Sequence, residues 1–356
     1  MNTARIDRVL ENMERAGLEQ IIVTSTASVY YLTGYWVEPM ERMLALYLRR
    51  GAAPVLFGNE LFALQPQEGL ELVLHTDSDD PTAQLCAALA PGALGVDKFW
   101  PSKFLMSLLT ARPDVRPVPG SAPVDDARTC KDADEIAALR AASRINDQVV
   151  TAAIAALKEG VREDEMAALV EQLFRDHGGE RSSEGQLVCF GPNGADPHHG
   201  PNGTRLKAGD SVVLDLFNPI GRYWCDMTRT VFFRSVSDEG RRVYETVRAA
   251  NAAAEAMIRP GVLLCDVDRA ARSVIEDAGY GPYFTHRLGH GCGLECHEPP
   301  DNSPVSMAPL RPGMVFSVEP GIYLPGKLGV RIEDLVLVTE DGCEVLNHAG
   351  KELQIV

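Results

Sequence analysis

Hydrophobic and polar positions along this chain switch repeatedly between two spacings. Ile6, Val9, Leu10 and Met13 recur at helical intervals in MNTARIDRVLENMERAG, which predicts an amphipathic helix. GLEQIIVTS (17–25), MLALYLRR (43–50), APVLFG (53–58) and LELVLH (70–75) read as strands. PTAQLCAALA (81–90) and PSKFLMSLLTA (101–111) read as helices, each opening with proline where the first turn needs no N–H. This alternation predicts an α/β domain over residues 1–122. PDVRPVPGSAPVDD (113–126), with four prolines and a glycine, reads as an extended linker with little to bury. Ile136, Leu139, Ile145, Val149 and Ile154 then mark a long helix, and EDEMAALVEQLFRDHG (163–178) a second. Hairpin-like strands follow, with a helix pair around 239–258 and 265–278. The second domain, 128–356, is therefore expected to be α+β with antiparallel strands.

Two hairpins break their own hydrophobic pattern. In SVVLDLFNPIGRYWCDMTRTVFF (211–233) two apolar runs flank the turn signal Asn218-Pro219-Ile220-Gly221. A hairpin centred between Ile220 and Gly221 sets Asp215 opposite Asp226. In SVEPGIYLPGKLGVRIEDLVLV (317–338), folding about Pro325-Gly326-Lys327 sets Glu319 opposite Glu333. Like charges facing each other across strands are destabilising, and buried charges must be paired or coordinated. Single acids are mostly solvent-exposed, but two pairs at matched hairpin positions point to a divalent-metal site.

THRLGHGCGLECHEPP (285–300) adds His286, His290 and His297, with Gly289, Gly291 and Gly293 permitting close backbone approach. A lone histidine is usually structural; three within twelve residues point to ligation or proton transfer. FGPNGADPHHGPNG (190–203) reads as a loop presenting His198 and His199.

Composition narrows the function classes. A formal net charge of −16, from 50 acidic and 34 basic residues, repels phosphate backbones and argues against nucleic-acid binding. No stretch approaches the roughly 20 apolar residues that span a bilayer, and the first helix lacks the uninterrupted apolar core of a signal peptide. A soluble, cytoplasmic protein without membrane partners is expected. The eight cysteines form no Cys-x-x-Cys pair and are expected to be small buried hydrophobes.

Taken together, LDLFNPIGRYWCDMTRT, HRLGHGCGLECHE, SVEPGIY and GVRIEDLVLV, in that order, resemble the pita-bread metallopeptidases, a family including methionine aminopeptidase, aminopeptidase P, prolidase and metal-free creatinase. The loop at 190–203 and the helix opening DADEIAALR extend the resemblance over roughly 130–340. It implies a C-terminal pita-bread catalytic domain preceded by a creatinase-type N-terminal α/β domain. It also implies metal ligands Asp215, Asp226, His290, Glu319 and Glu333, with Asp226 and Glu333 bridging two ions. Glu319 would be general base toward the hydrolytic water, and His198 and His297 would contact substrate and steady the tetrahedral intermediate. His286 and Arg331 would stand behind the metal ligands or at the substrate's edge. Two such ions activate a shared water and polarise the scissile carbonyl. Oxygen-rich ligands with one imidazole suit manganese, cobalt or zinc.

The N-terminal domain, whose TASVYYLTGYW (26–36) resembles that of the proline-specific enzymes, and the full ligand set favour that branch. The expected substrate is a small peptide with proline second, cut by a prolidase (Xaa-Pro dipeptidase) or by an aminopeptidase P acting on longer peptides. A hydrolase or lyase of a small non-peptide solute, or a binding module, is the reading from other classes. The resemblance also implies a homodimer. A dipeptidase must recognise the carboxylate after proline, usually with arginine, yet Asp301 follows His297-Glu298-Pro299-Pro300. Arg42, in YWVEPMERMLALYL, is the expected substitute, reaching the cleft of its own subunit or of a partner subunit; the plain alternative is a surface arginine in a local ion pair.

Overall fold

The computed structural model describes residues 1–181 and 185–356 and divides into two compact units, Met1–Arg128 and Thr129–Val356. In the first, α1 (Thr3–Arg15), β1 (Gln20–Val23), α2 (Thr26–Thr33), β2 (Ala45–Arg49), β3 (Val55–Asn59) and β4 (Glu71–His75) are followed by α3 (Pro81–Ala88), β5 (Gly92–Val96), α4 (Ser102–Ala111), β6 (Val115–Pro119) and α5 (Ala122–Thr129). The six strands form one sheet in the order β4-β3-β2-β1-β5-β6. Ile22, Tyr47, Phe57, Leu85, Leu94 and Phe104 fill its core.

The expected extended linker at 113–126 is a strand and a helix instead. β6 is an edge strand, where Pro117 and Pro119 withhold no N–H that the ladder needs. Pro123 falls in the first turn of α5, where its missing donor is equally harmless.

The second unit opens with α6 (Ala133–Ala155) and α7 (Glu163–Asp176), then β7 (Leu187–Phe190), β8 (Ser211–Ile220) and β9 (Tyr223–Phe232). Asp132 and Glu135 form a capping box at the start of α6. Helices α8 (Asp238–Met257) and α9 (Leu264–Asp277) lead into β10 (Gly289–Gly291), β11 (Glu298–Asn302), β12 (Val315–Val318), β13 (Gly321–Leu324), β14 (Leu328–Arg331), β15 (Asp334–Val338) and β16 (Cys343–Val345). These strands make sheets in the orders β7-β8-β9, β11-β10-β12-β15-β16 and β13-β14. Val149, Val170, Phe174, Leu214 and Met227 join α6 and α7 to the three-stranded sheet. Val247, Leu264, Ile275, Phe316 and Val336 form a second core beneath α8 and α9. Burying these side chains contributes roughly 1.5–3 kcal/mol each and gives the site rigid walls. Among the described residues, no helix is long and apolar enough to cross a membrane, and all eight cysteines are free thiols.

Candidate metal centre and active site

The first hairpin turns later than the sequence suggested. Gly221 and Arg222, both at positive φ, make the turn, and Pro219 stays in β8 opposite Trp224. Asp215 therefore pairs with Thr228, and Asp226 with Phe217, rather than with each other. Because the offset is two residues, both aspartates keep the same face of the sheet. In the second hairpin the register is as expected: Gly321 pairs with Arg331 and Val318 with Asp334. Glu319 and Glu333 sit in the break between those two ladders.

Glycines let a third element approach. A Cβ on Gly289 would lie 2.0 Å from the Ser317 carbonyl oxygen, and one on Gly291 2.3 Å from that of Pro299. β10 thus nests between β11 and β12 and carries His290 inward. Side-chain donor atoms of Asp226, His290 and Glu333 all lie within 4.8 Å of one another. His290 Nε2 is 3.4 Å from Glu319 Oε1 and 3.7 Å from Asp226 Oδ2.

This donor set fits a divalent cation. Burial, and then His297, lowers the His290 pKa to about 3, so its ring is neutral. Its Nδ1, 3.1 Å from the Gly291 carbonyl, takes the donor role, leaving the Nε2 lone pair facing two carboxylates. Asp215 Oδ1 is buried without any hydrogen-bond partner. Burial, with Asp215 and other neighbouring carboxylates, raises the pKa values of Asp226 and Glu333 well above normal. Glu319 is pushed up to about 7, first by burial. Such crowded lone pairs are what a bound cation relieves.

Asp215, Asp226, His290, Glu319 and Glu333 line one cavity of about 460 Å³ together with His198, His286, His297 and Arg331. The His290 and His297 rings lie 3.9 Å apart. His286 Nε2 is 2.8 Å from the Tyr323 hydroxyl. Arg331 is buried and donates to Asp215 Oδ2 at 2.6 Å, the Thr228 hydroxyl at 3.0 Å and the Tyr323 hydroxyl at 2.8 Å. It orients the ligand set rather than reaching outward.

The two loop histidines part ways. His198 faces the cavity, whereas His199 Nε2 lies 3.2 Å from Glu163 Oε2. Glu163, the first residue of α7 and fully buried, also accepts from Phe190 N at 2.7 Å, Asn193 Nδ2 at 3.0 Å and Asn202 N at 3.2 Å. One carboxylate thus ties both limbs of the His198 loop, a role that sequence reading missed because Glu163 looks like any acid in a first helical turn.

Arg42 lies in the first unit, just before β2. Within the first unit its guanidinium forks onto Asp77, with two 2.8 Å bonds, and meets Glu41 at 2.9 Å. Arg287, which sequence reading passed over, lines the cavity. Its position between His286 and the glycine-flanked His290 was the available signal.

The family model for metallopeptidase family M24 matches residues 137–340, and that for the creatinase/prolidase N-terminal domain matches residues 5–130. This chain belongs to metallopeptidase family M24, with the α+β pita-bread architecture and a metal-dependent peptidase site. It is 35% identical to an uncharacterized peptidase of Staphylococcus aureus (strain MSSA476), over 98% of this chain and 99% of that one. Its structure resembles a prolidase from Thermococcus sibiricus, with a TM-score of 0.93, 33% identity and full coverage of both chains. It equally resembles the dipeptidase PepE of Mycobacterium ulcerans, with a TM-score of 0.93 and 36% identity over 99% of this chain and 97% of that one.

Proposed function

We propose that this chain is an Xaa-Pro dipeptidase that works with two divalent ions, manganese foremost, held by Asp215, Asp226, His290, Glu319 and Glu333. The supporting observation is the convergence of four carboxylates and a neutral imidazole on one cavity. Asp226 and Glu333, each within reach of the other and of His290, would hold the ions between them. When bound, the ions polarise the scissile carbonyl and make water nucleophilic near neutral pH.

The remaining steps belong to the protein. Glu319, which accepts a bond from Ser317 Oγ at 3.1 Å, takes the proton of the attacking water and returns it to the leaving proline nitrogen. His198 and His297 donate to oxygen as its negative charge develops. Asp215, bonded by Arg331, receives the substrate's free amino end together with Asp226. His286, held by Tyr323, borders the peptide. A cytoplasmic homodimer completes the proposal, on the grounds of family resemblance.

A substrate panel tests this reading. Manganese-loaded protein is expected to release proline from Ala-Pro and Leu-Pro, and to leave Ala-Leu and small non-peptide amides largely uncut. Turnover of the amides without proline release would move the chain to a different hydrolase class.

A further inference from the structure

A dipeptidase site needs one more feature. The product-side carboxylate of Xaa-Pro directly follows the proline, and choosing it over a continuing peptide requires an available cation. We propose that Arg287 is that cation, the residue by which this site selects free dipeptides. The inference rests on the Xaa-Pro reading above.

Two arginines line the cavity. Arg331 is committed to Asp215, Thr228 and Tyr323. Arg287 is different, because its side chain is 42% exposed and bonded only through Nη1, at 2.7 Å from Asp301 Oδ1. Among the described residues, its Nε and Nη2 have no hydrogen-bond partner. An arginine so placed can offer two N–H groups to a carboxylate in a fork.

Asp301 supplies the orientation. It sits opposite His290 in the β10–β11 ladder, and its second oxygen accepts from the Ser303 hydroxyl. The guanidinium is therefore moored on the His290 side of the cavity, which limits the rotamer freedom that binding must remove. An exposed ion pair of this kind adds little to stability, so folding alone gives no reason for its place in the wall. The anion after Pro300 thus anchors a cation instead of replacing one.

The test compares Ala-Pro with Ala-Pro amide, which keeps the scissile bond and the ring but lacks the charge. Wild type, Arg287→Ala, Arg287→Gln and Arg287→Lys are assayed as manganese-loaded full chains, with bound metal measured for each. The preference for Ala-Pro over the amide is expected to fall at least tenfold in the Ala and Gln variants, chiefly through KM. Removing Arg287 also bares Asp301, which turns attraction of the carboxylate into repulsion. Lys should restore part of the preference, and metal content should not change. Equal losses on both substrates, or an unchanged preference, would overturn the role of Arg287 while leaving proline specificity intact. A wild type that cuts neither substrate would sink the Xaa-Pro reading itself, and this inference with it.

Discussion

Each group of the proposed metal set is held at one point and left open at another. Ser317 holds Glu319, Thr228 donates to Glu333 at 2.6 Å, and Arg331 fixes one oxygen of Asp215. The Gly291 carbonyl sets the His290 tautomer, and the Cys296 thiol touches Asp226 at 3.5 Å. Such outer contacts typically tune metal affinity ten- to a hundredfold. Asp226→Asn and Glu333→Gln are expected to lose bound metal and activity together, as read by elemental analysis beside a proline-release assay. Full metal content in an inactive variant would contradict a ligand role. His198 makes the opposite prediction. Because it lines the cavity and is proposed to contact substrate oxygen rather than metal, His198→Ala should keep its metal and lose on the order of 10²–10³ in kcat.

The elements explain why so much of the site was legible in the sequence and where the reading slipped. Strand periodicity put Asp215 and Asp226 on one face, and a register error of two residues cannot change that face. The turn was placed one residue early because Asn218-Pro219-Ile220-Gly221 reads as a turn signal; in the structure Gly221 and Arg222 take the positive φ angles. The linker reading failed for a related reason, since proline-rich composition cannot announce that a segment will be an edge strand. Long-range ties were illegible altogether: nothing local signals that Arg42 finds Asp77, or that Glu163 gathers donors from a loop some thirty residues on. Glu163→Gln leaves the size unchanged but replaces one acceptor oxygen with a donor. We expect faster amide exchange across 190–204 and a kcat lowered about tenfold or more, since small misplacements of catalytic groups are costly. Unchanged exchange there would show that the loop is held by other means.

For the whole molecule, the carboxylate cluster couples metal, pH and stability. In the metal-free protein Glu319 titrates near 7, and Asp226 and Glu333 are also raised, all chiefly by burial. Carboxyl groups in the unfolded chain titrate near 4. The folded state therefore binds more protons over that interval, so stability falls as pH rises through it. The Tm of chelated protein is expected to drop between about pH 5 and pH 7.5, and manganese should remove most of that drop. A flat profile for the chelated protein would mean that the cluster does not carry the strain assigned to it. The most direct test of the central claim is proline release from Ala-Pro against Ala-Pro-Ala cleavage, each before and after chelation and manganese reloading. The account predicts that Ala-Pro is the better substrate, that chelation abolishes its cleavage and that manganese restores it. Cleavage that survives complete metal removal, or a clear preference for the tripeptide, would contradict it.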